Sequence, residues 1–160
     1  MNKIVTWELL KERVERVRGE GKKIAFTNGC FDILHVGHVQ YLSEARKTGD
    51  LLILGLNSDA SVRTIKGEKR PLVPQGERAE VVASLDAVDY VTLFDDPTPL
   101  RLIEYLRPDV LVKGGDWKED AVVGGDAFRS WGGKIVIVPL TKGVSTTNIV
   151  EKVLQVYGKA

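Results

Sequence analysis

Apolar residues along this chain recur with two periods, and the alternation between them lays out the fold. Trp7, Leu10, Val14 and Val17 fall on one face of a helix, which "GEG" at 19–21 stops. A short β-rich run, "KKIAFTNG", occupies 22–29, and a helical pattern resumes over 39–47 before Thr48 and Gly49. The nearly continuous apolar stretch in "DLLILGLNS" at 50–58 reads as a strand buried on both faces. Residues 59–76, "DASVRTIKGEKRPLVPQG", hold two prolines and two glycines without a clear period. They read as a mobile loop, with at most a helical turn over 60–65. Beyond it the pattern predicts helix over 77–88, strand over 89–94, helix over 98–106 and strand over 108–115. A shorter helix over 126–133, a strand over 134–140 and a last helix over 145–158 complete the series.

Strands alternating with helices predict the α/β class: a Rossmann-like, doubly wound parallel sheet of about five strands with helices on both faces. We expect one domain over 1–160, with an N-terminal helix at 1–21 ahead of a core at 22–160. In such sheets ligands bind outside the C-terminal ends of the strands. That edge would gather residues 27–38, 57–69, 113–117 and 141–147.

Composition narrows the partners. Lys and Arg number 23 against 22 Asp and Glu, so no basic face advertises nucleic acid. No apolar run approaches the roughly 18 residues of a membrane span. The N-terminus alternates charge with apolar residues and lacks a signal peptide's apolar block. The single cysteine, Cys30, rules out an intrachain disulfide and suits a reducing compartment, so a cytoplasmic location is expected. Trp7 and Trp131, expected at the surface, would support a homo-oligomer.

Both histidines, His35 and His38, sit in one turn, "TNGCFDILHVGH" at 27–38. A histidine is more often a structural side chain than a functional one, but these two lie together at a strand-to-helix junction on the expected ligand edge. Gly37 between them allows a ligand to approach the backbone, and the following helix terminus favours an anion. Two imidazoles there could donate hydrogen bonds to phosphoryl oxygens. Cys30, His35 and His38 as a metal set match no familiar zinc spacing, so no side-chain metal ligand is assigned. Nothing marks Cys30 as an activated nucleophile, and just past an apolar strand it reads as a small buried side chain.

"NGCFDILHVGH" resembles the signature of the nucleotidyltransferase superfamily, cytidylyltransferase-like, whose hallmark is His-x-Gly-His. The resemblance continues through "LNSDASVRTIKGEKRP", "LVKGGDW" and "GVSTTNIVEKV", which look like the adenylyltransferases that make ADP-heptose. It implies an enzyme that transfers AMP from ATP to D-glycero-D-manno-heptose 1-phosphate with Mg²⁺ and releases pyrophosphate, for lipopolysaccharide core or a related glycan. In many bacteria that unit follows a sugar kinase, and at this length a stand-alone version is expected. The resemblance gives His35, His38 and Lys66 catalytic roles. Asn28, Gly29, Cys30, Phe31, Gly37, Asn57, Lys113, Gly115, Ser145, Thr146 and Thr147 would bind nucleotide with the histidines. Thr27, Asp32, Arg70, Asp116 and Trp117 would bind the acceptor, Asp32 also bracing the turn.

Two other readings share these motifs. A glycerol-3-phosphate-type cytidylyltransferase usually carries Arg-Thr ahead of its Gly-x-Ser-Thr-Thr and Lys after it, whereas Leu140 and Asn148 stand there here. A nucleotide-binding module without turnover would be expected to have lost phosphate contacts, yet His35, His38, Lys66 and the 145–147 run are all present. The ordinary reading of "STTN" is a helix N-cap, and that of Lys66 a solvated lysine.

Overall fold

The computed structural model describes residues 2–115, 122, 125–141 and 143–158. The elements run α1 (Trp7–Gly19), β1 (Ile24–Gly29), α2 (Val36–Arg46), β2 (Leu51–Asn57), α3 (Asp59–Lys66) and α4 (Gln75–Ala83). They continue with β3 (Tyr90–Phe94), α5 (Leu100–Leu106), β4 (Val110–Gly114), α6 (Gly125–Ser130), β5 (Lys134–Val138) and α7 (Thr146–Tyr157). The strands form one parallel sheet in the order β3-β2-β1-β4-β5, the doubly wound arrangement expected.

Two-residue periodicity on the strands builds a core on each face. Ile24, Phe26, Ile53, Leu111 and Ile135 point to one side, where Leu10 and Val14 of α1, Ile103 of α5 and Phe128 of α6 cover them. Ala25, Leu52, Leu54 and Val112 point to the other, under Leu42 of α2 and Val82 of α4. Each of the larger side chains removed from water contributes about 1.5–3 kcal/mol. The helix at the N-terminus is therefore part of the fold's core. The segment before it extends the sheet: Val5 N–H donates to Val91 at 3.0 Å, and Val91 N–H to Lys3 at 2.9 Å. No helix among the described residues is long and apolar enough to cross a membrane.

The two edges of the sheet are built differently. At the N-terminal edge an aspartate precedes each of three strands and accepts from a neighbouring strand. Asp50 takes Lys23 N–H, Asp109 takes Ile24 N–H and Asp89 takes Leu52 N–H, each at 2.8 Å. At the C-terminal edge several segments are tied together by Arg78 of α4, which is 1% exposed. Its guanidinium donates to the Asn57 carbonyl at 2.9 Å, to the Val73 carbonyl at 2.9 Å, to the Cys30 carbonyl and to the Asp59 carboxylate at 2.7 Å.

The structure departs from several expectations. Residues 59–66 of the supposed loop form α3, because Ser58 accepts the Ser61 N–H at 3.2 Å and Val62 is buried. Gly67, at φ +94°, ends that helix. The second helix starts at Val36, earlier than its pattern, because Val36 and Val39 face solvent and give no apolar period. The fourth ends at Ala83 instead of running to residue 88, and Leu85 packs against the core beyond it. Trp7 and Trp131 are half-buried against the first core, and the Trp7 indole N–H donates to Leu93 at 2.8 Å. Four of the exposed apolar residues lie together on α7, where Val153, Leu154, Val156 and Tyr157 all face solvent.

Removing the Arg78 head group would leave buried acceptors and a carboxylate without their donor. Arg78→Met should lose about 3 kcal/mol or more in urea denaturation. A loss below about 1 kcal/mol would show that the edge holds without it.

Candidate active site

The C-terminal ends of the strands surround a cleft of about 690 Å³. Its centre is the turn after β1. Phe31 takes a left-handed backbone, φ +46°, and folds its ring back over Gly29, where a Cβ would lie 2.7 Å from the ring. The same ring lies 4.9 Å from that of His38. His35 occupies the N-cap position of α2 without capping it, which leaves its side chain free to stack on His38. The two imidazoles are 3.7 Å apart between centroids and inclined by only 19°. Gly37 makes room for this arrangement, since a Cβ there would meet the His35 ring at 3.1 Å.

Both Nδ1 atoms are buried without a hydrogen-bond partner among the described residues. Burial pushes the His35 pKa down, and burial together with neighbouring His35 pushes that of His38 down to about 4. Near pH 7 the pair is therefore neutral. Burial also raises the Cys30 thiol above its ordinary value, with Lys66 and Arg78 acting against the rise, so Cys30 is no ready thiolate.

Around this centre the flanking loops supply positive charge and hydroxyls. Lys66 closes α3 and lines the cleft on the β2 side, and Lys113 donates to the Asn28 side-chain oxygen Oδ1 on the β4 side. Arg70 pairs with Asp32 at 2.7 Å. The other Asp32 oxygen accepts the Leu72 and Val73 N–H groups at 2.8 and 2.9 Å, so this carboxylate braces the chain beneath the cleft. At the start of α7, Ser145 caps Asn148 N–H at 3.1 Å, and Thr146 and Thr147 also line the cleft.

Of the residues singled out from the sequence, the cleft gathers Asn28, Gly29, Cys30, Phe31, Asp32, His35, Gly37, His38, Asn57, Lys66, Arg70, Lys113, Ser145, Thr146 and Thr147. Thr27 is not among them: fully buried, its hydroxyl bonds the Tyr41 hydroxyl at 2.7 Å, and Tyr41 in turn donates to Val112. Its acceptor-binding role gives way to that of a buried link between β1, α2 and β4. Gly115 is exposed beyond the lining, and Asp116 and Trp117 lie outside the described residues. Val62, Ile65, Thr141 and Val144 line the cleft from segments expected at the ligand edge without having been given roles, whereas sequence reasoning missed Tyr41, the turn at 97–99 and Leu140. The alternating pattern around 97–99 marks the end of a strand, which is the only signal that could have pointed there.

A neutral imidazole pair between lysines, at the mouth of a parallel sheet, is suited to an anionic phosphorus centre, and the class it defines is the nucleotidyltransferases. The chain belongs to the cytidylyltransferase-like family, whose model matches residues 26–152. It is 59% identical over 146 residues to the bifunctional protein HldE of Geobacter metallireducens, covering 91% of this chain and 30% of that protein. With HldE of Geobacter sulfurreducens the identity is 56% over 157 residues, covering 98% and 32%. The chain thus spans about a third of the length of these curated relatives. Among solved structures, the lipopolysaccharide core biosynthesis protein of Thermoplasma volcanium superposes with a TM-score of 0.64 at 28% identity, over 78% of this chain and all of that one. Pantothenate synthetase of Thermus thermophilus shares the fold, with a TM-score of 0.66 at 16% identity, over 92% and 67%.

The depressed His38 pKa has a signed consequence. Between about 4 and 6.5 the unfolded chain binds more protons than the folded one, so stability falls as pH drops through that window. NMR titration should give a His38 midpoint near 4. In His38→Gln, urea denaturation at pH 7.5 and at pH 5 should differ by less than in the parent. A midpoint near 6.5 would contradict the buried, stacked arrangement.

Proposed function

We propose that this chain is an adenylyltransferase that transfers AMP from ATP to D-glycero-D-manno-heptose 1-phosphate, giving ADP-heptose and pyrophosphate. The observation that carries the reading is the stacked, neutral His35–His38 pair, set between Lys66 on one side and the start of α7 on the other. High identity to the HldE proteins and likeness to a lipopolysaccharide core biosynthesis protein support the choice of acceptor.

The chemistry asks little of a general base. A sugar phosphate is already an anion, and its oxygen attacks the α-phosphorus while the bond to the bridging oxygen of the β-phosphate breaks. Pyrophosphate takes the electron pair and leaves. Charge builds on the non-bridging α-oxygens, and donors fixed in advance stabilise it without reorganising. In this reading His35 and His38 donate to those oxygens. Ser145, Thr146, Thr147 and the N-terminus of α7 hold the departing β- and γ-phosphates. Lys66 spans the acceptor and triphosphate. Mg²⁺ enters as part of the MgATP substrate, held chiefly by the phosphates. Thermodynamically, binding energy is directed to positioning two anions that otherwise repel each other.

The reading is tested by pyrophosphate release, with ATP and CTP crossed against sugar and polyol phosphates. ATP with the heptose phosphate should give the highest kcat/KM. Turnover confined to CTP and glycerol 3-phosphate would favour the cytidylyltransferase, and ATP binding without release a non-catalytic module. In the productive reaction Lys66→Ala should lower kcat about 10²-fold or more, the scale of one lost transition-state donor. His35→Ala and His38→Ala should each depress kcat much more than they raise the KM for ATP, with His38→Asn milder than His38→Ala. Near-normal turnover in either alanine variant would remove the histidines from the phosphorus centre.

A further inference from the structure

The sheet order separates the cleft into halves about β1, with β4 and β5 on one side and β2 and β3 on the other. The start of α7 follows β5, and the histidines follow β1. If the leaving pyrophosphate sits at Ser145, Thr146 and Thr147, in-line attack requires the nucleophile to approach from the opposite side of the histidines. That is the half walled by α3 and by the turn at 97–99 after β3. This turn is where the cleft is least explained by phosphate chemistry: Pro97 and Thr98 are exposed and line it, as does Ile65 of α3, 41% exposed. Among the described residues the Thr98 hydroxyl has no hydrogen-bond partner.

A buried relay fixes this wall to the cleft floor. Asn57 at the end of β2 is 2% exposed and donates from Nδ2 to the Ser61 hydroxyl at 2.9 Å. Ser61, fully buried, donates onward to the Asp96 carbonyl at 2.8 Å, immediately before the turn. Two polar side chains are thus committed to holding one exposed turn against α3. A sugar matches what they hold, because it offers hydroxyls at its rim and C–H groups on its faces.

We propose that the 97–99 turn is the wall for the acceptor's sugar, with Thr98 hydrogen-bonding an acceptor hydroxyl and Pro97 and Ile65 against its C–H face. Ser61 is the positioning residue that sets the turn. This rests on the adenylyltransferase reading, and the test separates the two. Pyrophosphate release is measured while ATP and heptose 1-phosphate are varied independently. Thr98→Val, which keeps shape and removes the hydroxyl, should raise the acceptor KM about three- to tenfold, as for one lost hydrogen bond. Thr98→Ser should restore it, and the KM for ATP should stay within about twofold in both. Ser61→Ala, checked for folding by circular dichroism, should raise the acceptor KM in the same way, and adding it to Thr98→Val should raise it by less than the product of the two. Should the parent release no pyrophosphate with any sugar phosphate, the adenylyltransferase reading and this wall fall together. Should the parent turn over while Thr98→Val leaves the acceptor KM unchanged, or raises the ATP KM instead, the wall alone is overturned.

Discussion

The buried guanidinium of Arg78 and its four acceptors tie together the ends of β1 and β2, the start of α3 and the chain ahead of α4. Strands of a parallel sheet splay at the edge where their loops depart, and here those loops converge on one cleft. A charge taken out of water is tolerated only when its donors are nearly all used. Arg78 meets that condition by drawing on carbonyls from three separate segments, so the geometry that satisfies the charge is also the geometry of the cleft. The aspartates at the opposite edge do simpler work. Each joins two neighbouring strands and leaves the far edge free to be shaped by its loops.

Above this anchor, charge is distributed with a division of labour. Asp32 and Arg70 neutralise each other and spend their remaining capacity on backbone, so they contribute shape more than field. Lys66 and Lys113 sit on opposite sides of the histidines. A substrate carrying several negative charges can then be held at both ends while its central phosphorus faces neutral rings. Phe31 and Gly29 make this possible by folding an aromatic ring under His38, where it both buries the imidazole and limits its orientation.

Most of this architecture is legible in the sequence where a period survives. The five strands and α1 announce themselves because both faces, or one clear stripe, are buried. Helix α3 hides because Val62 and Ser61 are its only buried residues and Gly67 and Pro71 follow at once. Arg78 hides for another reason: an arginine within a helix of polar and apolar residues reads as solvated, and only the tertiary fold brings three carbonyls to it. The histidine turn, the 145–147 run and Lys66 were readable because their residue types are unusual together. Thr27 misled because adjacency in sequence to a functional turn says nothing of which way a strand residue points; its neighbour Asn28 lines the cleft while Thr27 lies beneath it.

The stacking of two imidazoles at 3.7 Å also limits what the cleft can do with protons. Burial already holds both rings neutral near pH 7, and two positive charges at that separation would repel strongly, so the pair can carry at most one proton. An arriving polyphosphate raises the proton affinity of whatever faces it, and the pair can answer by taking up that one proton and no more. The spacing of two rings thus sets a ceiling on the positive charge this part of the cleft can carry.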